Sequence, residues 1–296
     1  MVRIWTRLAA VAAIAFSTAA PCKETLYATS LRSQIGGESI IAGNLYMVDP
    51  STASSTLVGA IKVGDQPVGI LALATHPKTG VVYGINAGLS STVSRSLLEI
   101  DLDNATARVV ARLAARGSDI GFAPDGTLYM WAADLRRLVR VNLETGDTSA
   151  IGETIENAAG GAIAITPDGT EAIVAVNGAT GRLYRIDVRS GYVTPGPELS
   201  NAPYDASIEN LTYSPSGELY AVNSDGGSPS KAALVSVDAR IGFVSKIGLL
   251  PDDVRGLIFA TERPSSFVSR EGLRFWLLVA LATIAAALIL YAIRRA

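Results

Sequence analysis

Leu138-Val139-Arg140-Val141-Asn142-Leu143-Glu144-Thr145-Gly146 is a short apolar strand that runs into an amide and a Thr-Gly turn. Its first five residues return four more times: Leu45-Tyr46-Met47-Val48-Asp49, Leu97-Leu98-Glu99-Ile100-Asp101, Leu183-Tyr184-Arg185-Ile186-Asp187 and Leu234-Val235-Ser236-Val237-Asp238. A second phrase alternates with it. It reads His76-Pro77-Lys78-Thr79-Gly80, Ala123-Pro124-Asp125-Gly126, Thr166-Pro167-Asp168-Gly169 and Ser214-Pro215-Ser216-Gly217. The prolines stand 47, 43 and 48 residues apart. A repeat of this length holding about four short strands is one blade of a β-propeller.

Alternation and β-branched content, bounded by Gly, Pro, Asn and Asp, place the strands. In the third unit they are Gly161–Thr166, Glu171–Val176, Leu183–Val188 and a fourth beginning at Tyr192. In the fourth unit they are Asn210–Ser214, Glu218–Val222, Ala233–Val237 and Phe243–Ile247. The last inner strand, Arg255–Thr261, has no partner after it. Thr25-Leu26-Tyr27-Ala28 matches Thr127-Leu128-Tyr129-Met130 and Glu218-Leu219-Tyr220-Ala221. The N-terminal strand is therefore expected to pair with the C-terminal one and close the ring, which removes open sheet edges. The expected fold is an all-β, five-bladed β-propeller over residues 25–262. Six blades is the alternative, if Leu31–Ile41 hides a further strand pair.

Two terminal segments raise the mean hydropathy to +0.32. Arg3 and Arg7, the apolar run Leu8–Phe16 and Ser17-Thr18-Ala19-Ala20 read as a secretory signal peptide over residues 1–20. Residues 263–272 read as a linker, 273–293 as a transmembrane helix and 294–296 as a cytoplasmic tail. The uncharged stretch Phe275–Ile293 spans about 28 Å as a helix, close to a bilayer core. Trp276 and Tyr291 stand near its ends, and Arg294 and Arg295 favour the cytoplasmic side. The expectation is a single-pass membrane protein with its propeller on the periplasmic or extracellular side. A formal net charge of −2 gives no electrostatic case for nucleic acid. Cys22 is the single cysteine, so no intrachain disulfide forms.

The chemistry-bearing residues are few. His76 is the only histidine and fills a turn slot held elsewhere by Ala123, Thr166 and Ser214. Two-His metal sites are excluded, and a serine triad would need His76 itself. Asp49, Asp101, Asn142, Asp187 and Asp238 start turns, where their side chains accept backbone N–H bonds. Asn86, Asn177 and Asn223 end strands, where residues tolerant of left-handed backbone are wanted. Asp101-Leu102-Asp103-Asn104 lacks the glycine and glutamate of a calcium loop. Asn104-Ala105-Thr106 and Asn210-Leu211-Thr212 are glycosylation sequons.

Function in propellers gathers where the inner strands open onto the central channel. Counting back from the turn prolines reaches Leu71 and Ala72, Ser118 and Asp119, Gly161 and Ala162, Glu209 and Asn210, with Arg255 and Gly256 from the last strand. Asp119, Glu209, Asn210 and Arg255 are the notable polar members, and they read either as an Arg255–carboxylate network plugging the channel or as oxygen ligands for a divalent cation. The long connecting loops add Asp65, Gln66, Asn157, Tyr204, Asp205 and Asp253. The ligand-binding face is therefore placed at Asp119, Glu209, Asn210, Arg255, Tyr204 and Asp205.

The repeat phrase resembles the YVTN and NHL-type bacterial propeller repeats, hydrophobic-x-hydrophobic-Asp followed by a Thr-Gly turn, across roughly residues 25–262. That resemblance implies the fold more than an activity. The channel carboxylates resemble in composition the calcium-dependent lactonases of the SMP-30 type, whose Glu, Asn and Asp ligands would here be Glu209, Asn210 and Asp119. The reading is a membrane-anchored, non-enzymatic binding or scaffold module for a protein or glycan. The alternative is a hydrolase using calcium or another divalent cation at those three residues.

Overall fold

The computed structural model describes residues 24–261, apart from 36–37, 41, 87–92, 159, 178–180 and 206. Five antiparallel sheets of four principal strands stand around one axis. Blade 1 is assembled from both ends of the described chain. Its innermost strand is Val254–Thr261, followed outward by Glu24–Ser30, Asn44–Val48 and Ser55–Ala60. Glu24 pairs with Thr261 and Leu26 with Phe259, so the expected closure is present.

Blade 2 runs Ile70–Thr75, Val82–Asn86, Ser96–Ile100 and Thr106–Arg112. Blade 3 runs Gly117–Phe122, Leu128–Ala132, Arg137–Val141 and Thr148–Ile151. Blade 4 runs Gly160–Ile165, Glu171–Asn177, Arg182–Asp187 and Val193–Glu198. Blade 5 runs Ser207–Tyr213, Leu219–Ser224, Ala232–Asp238 and Phe243–Leu250. The ladder Lys62–Val63 with Gln66–Pro67 covers the outer edge of blade 2. The strand pair suspected within Leu31–Ile41 exists as Ser33–Ile35 against Glu38–Ile40. It forms a separate hairpin between the second and third strands of blade 1, so the blade count stays at five.

The core is divided into five layers, one between each pair of neighbouring blades. Trp131, Leu138, Ile163 and Val174 join blades 3 and 4. Leu45, Leu73, Leu98 and Ile258 join blades 1 and 2. Leu183, Leu211 and Val235 join blades 4 and 5, Leu97, Ile120 and Met130 join 2 and 3, and Leu26, Leu234 and Leu257 join 5 and 1. The middle strands are therefore covered on both faces, which is why Leu128–Ala132 is buried throughout and breaks the alternating pattern.

Because the strands are antiparallel, the first-to-second and third-to-fourth turns of each blade leave one end of its strands, here the turn face, and the second-to-third and inter-blade connections leave the other, the loop face. On the turn face, Gly126, Gly169 and Gly217 adopt φ of 95°, 73° and 86° behind their prolines. The acids that start the outer turns behave as expected there. Asp49 Oδ1 accepts the Ser51 N–H at 2.8 Å, Asn142 Oδ1 the Glu144 N–H at 2.9 Å and Asp187 Oδ1 the Ser190 N–H at 2.6 Å. The Ser51 hydroxyl and then its N–H hold the Asp49 carboxyl below its ordinary range, and the Ser190 N–H and hydroxyl do the same for Asp187. His76 is also structural: its ring packs on Phe122 at 5.0 Å and its Nδ1 accepts the Lys78 N–H at 3.3 Å.

Candidate functional site

The loop face holds the channel mouth, and its geometry depends on a feature that the sequence pattern did not reveal. In four blades the innermost strand carries a one-residue bulge. Pairing skips Leu71 in blade 2, Ser118 in blade 3, Glu209 in blade 5 and Arg255 in blade 1. A bulge re-aims the side chains around it. The bulged residues then reach sideways to the next blade. Ser118 Oγ donates to the Gly161 carbonyl at 2.6 Å. Arg255 forms an ion pair with Glu209. Glu209 Oε1 also accepts the hydroxyls of Ser207 and of Ser224, the latter at 2.6 Å.

The next tier inward contains Ala72, Asp119, Ala162, Asn210 and Gly256. Three small residues leave room on the axis for the other two. Asp119 and Asn210 are fully buried and bonded, Asn210 Nδ2 donating to Asp119 Oδ1 at 2.6 Å. Asp119 Oδ1 accepts a second N–H from Ile120 at 2.8 Å. Its Oδ2 accepts the backbone N–H of Ile163 in blade 4 at 2.8 Å and of Leu211 in blade 5 at 3.3 Å. One carboxylate thus ties three blades together. Burial drives its carboxyl well above the ordinary 3.8, against the downward pull of those four N–H bonds. Asn210 Oδ1, Arg255 Nε and Thr29 Oγ1 are buried without a protein partner.

The predicted site therefore separates into parts. Asp119 with Asn210, and Glu209 with Arg255, are two distinct pairs. No hydrogen bond or ion pair joins Tyr204 or Asp205 to either pair among the described residues. Tyr204 packs against the blade 4–5 core, and Asp205 is exposed. Among the loop residues, Asp65, Gln66 and Asn157 are exposed, whereas Asp253 is buried and accepts the Ser230 N–H at 3.0 Å. Burial of Asn210 leaves its sequon out of reach of a glycan.

The strand-end amides do something other than expected. Asn86 and Asn223 are buried and neither has a positive φ. Asn223 Nδ2 donates to the carbonyls of Tyr204 and Ser207, both at 2.9 Å, and its Oδ1 accepts the Tyr204 N–H at 2.8 Å. Asn86 holds the chain before blade 2's third strand in the same way, bonding Val93 and Ser96. A short polar side chain at a strand end reads equally as a turn former or a loop anchor, so sequence alone did not separate the two. For Asn177 the strand end is as placed.

Among the described residues no three His, Cys, Asp or Glu side chains gather as a metal-binding group. The lactonase-like ligand set fits poorly on two further counts. Both Asp119 oxygens already accept N–H bonds, and Glu209 is neutralised by Arg255. Among the described residues no helix is long and apolar enough to cross a membrane, and the span expected at Phe275–Ile293 lies outside them.

No family model and no curated protein matches the chain. Solved structures do. Hydrazine synthase of Kuenenia stuttgartiensis is similar at 19% identity over 62% of this chain and 49% of that one, with a TM-score of 0.40. A structural-genomics protein of unknown function from Bacteroides thetaiotaomicron is similar at 14% identity over 64% and 55%, with a TM-score of 0.44. The matches span about half the length of those chains.

Proposed function

We propose that this chain is an exported, membrane-anchored β-propeller of YVTN/NHL type that binds a protein or glycan through its loop face, without catalysis. The observation that carries this reading is the sealed axis. The polar groups a catalytic channel would present, Asp119, Asn210, Glu209 and Arg255, are bonded to one another and to backbone. Recognition is then left to the connecting loops, the usual carriers of binding on a rigid scaffold. On this reading the signal expected over residues 1–20 and the span expected at Phe275–Ile293 leave the ring outside, periplasmic or extracellular, and residues 294–296 in the cytoplasm.

One observation favours the metal-dependent hydrolase instead. Asn210 Oδ1 is a buried oxygen with no protein donor, as a cation ligand would be.

A photoreactive residue at Leu135 on the loop face, and separately at Tyr192 beside the outer turn of blade 4, tests the proposal in membranes carrying the full chain. Both side chains are exposed. Cross-links to one partner from Leu135 and none from Tyr192 are expected. Cross-links from Tyr192 alone, or from neither position, count against it.

A further inference from the structure

The loop face between blades 2 and 3 carries Arg95, Arg112, Arg116, Arg136 and Arg137, and four of the five are exposed. Backbone bonds string them along one rim. The Arg95 carbonyl accepts the Leu113 N–H beside Arg112 at 2.7 Å. The Arg116 carbonyl accepts the Ala133 N–H at 2.7 Å, next to the hairpin that bears Arg136 and Arg137. Ion pairs among the described residues engage Arg108, Arg182, Arg185, Arg240 and Arg255 and none of these five. Of the nearby carboxylates, Asp134 accepts the Arg116 backbone N–H, and exposed Glu153 and Glu156 flank the segment in which the Gly152 carbonyl accepts from Arg137 and the Ile155 N–H donates to the Arg136 carbonyl.

A comparison between blades gives a second, independent observation. Each blade has one residue before its third strand whose carbonyl accepts an N–H from the connection to the next blade. The five are Gly43, Arg95, Arg136, Gly181 and Ser230. Gly181 adopts φ of 44° there, and Arg95 and Arg136 adopt 54° and 52°. Glycine takes that left-handed conformation freely and a residue with a Cβ does not. Two blades therefore hold a strained arginine in a slot that blade 4 fills with glycine. Holding a residue with a Cβ there costs on the order of 1 kcal/mol, a cost that Gly181 avoids and that Arg95 and Arg136 bear.

Building on the proposed loop-face binding, we infer that this rim docks an acidic protein segment. Planar guanidinium groups match carboxylates bidentately and are enriched in protein interfaces. Leu135, 42% exposed and next to Arg136 in the chain, supplies an apolar contact for a side chain of the docked segment.

The test is fluorescence anisotropy on the full-length chain in detergent. The probe is a labelled peptide of alternating Asp and Glu with one central Leu. Binding that weakens as sodium chloride rises from about 50 to about 300 mM is expected. The double variant Arg95→Gly/Arg136→Gly should bind about tenfold more weakly, while melting at the wild-type temperature or above, because the left-handed strain is relieved. Arg112→Gln/Arg116→Gln should show the same loss without touching the strained slots. Arg240→Gln on the turn face should bind as wild type. The inference is overturned if wild-type protein ignores the peptide, if both double variants bind it unchanged, or if polygalacturonate or a DNA oligomer binds at least as tightly. A partner cross-linked through Leu135 alongside a failed peptide assay would sink the charge argument and leave loop-face binding standing.

Discussion

Replacing Asp119 by Ala probes the tie across the axis. The substitution removes the acceptor of four N–H groups, those of Ile120, Ile163, Leu211 and Asn210 Nδ2. All surround a side chain with no solvent exposure. A buried donor left without a partner costs about 1–3 kcal/mol. Four such groups cannot all stay dry and rigid, because the vacated space admits water, so a total near 5 kcal/mol is expected, at the upper end for a single substitution. Asp119→Asn keeps one acceptor oxygen and turns an NH2 group toward two of the donors. About 3 kcal/mol is expected for it. For a ring of this size 1 kcal/mol moves the melting midpoint by about 2–4 °C. Asp119→Ala should therefore melt at least about 10 °C lower and Asp119→Asn roughly midway. Fluorescence of Trp131, which is fully buried in blade 3, reports the transition. Midpoints of both variants within about 2 °C of wild type would refute the argument that this carboxylate holds three blades together.

Glu209→Gln leaves the Arg255 charge, only 19% exposed, without its partner and should cost about 2–3 kcal/mol in denaturant unfolding, largely recovered in Glu209→Gln/Arg255→Met. Gly191→Ala should lose at least about 2 kcal/mol, since φ is 74° and the new methyl would overlap the Gly152 backbone, whereas Gly217→Ala, with φ of 86° and open space, should lose only about 1 kcal/mol. Equal midpoints for these two variants would contradict the close approach of blades 3 and 4. Asp49, Asp168, Asp187 and Asp238 titrate below the ordinary 3.8, so the stability they add is present above that pH and is lost as pH falls through their lowered values. Asp119, raised by burial, has the opposite sign: its contribution is largest below 3.8 and declines as pH rises toward its raised value. A melting series from about pH 2 to 7 should show a net acid-side loss that shrinks when the turn aspartates are changed to Asn, which keeps the turn acceptor without a titrating group.

The ring was legible because each blade repeats constraints that only certain residues satisfy. A turn needing positive φ selects Gly126, Gly169 and Gly217, and a turn start needing a backbone acceptor selects Asp49, Asn142 and Asp187. The closing strand was legible because Thr25-Leu26-Tyr27-Ala28 has to fit the slot that Thr127-Leu128-Tyr129-Met130 fills. The channel was only half legible. Counting back from the prolines found Asp119, Glu209, Asn210 and Arg255, but a bulge inserts one residue without any residue type of its own. An Arg255–carboxylate network in the channel was readable from the residue types, and the Arg255–Glu209 ion pair is of that kind, but nothing in the letters said which carboxylate Arg255 would meet or that Asp119 and Asn210 would fill the axis. The same bulge, with the charge at Glu209, hid the first three residues of the strand Ser207–Tyr213, which the apolar pattern started at Asn210. Ser207 and Ser224 escaped notice because a serine carries no sign of the carboxylate it will meet.

The most direct measurement is the melting midpoint of the full-length chain with calcium, magnesium, manganese or zinc against a chelator. A ligand at one hundred times its dissociation constant adds about 2.7 kcal/mol to the folded state, a visible shift. With Asp119 saturated by N–H donors and Glu209 held by Arg255, the midpoint should stay within about 1 °C for all four ions. A rise of several degrees with one ion, absent in Asp119→Asn and Glu209→Gln, would contradict the sealed axis and make the channel a metal-dependent active site.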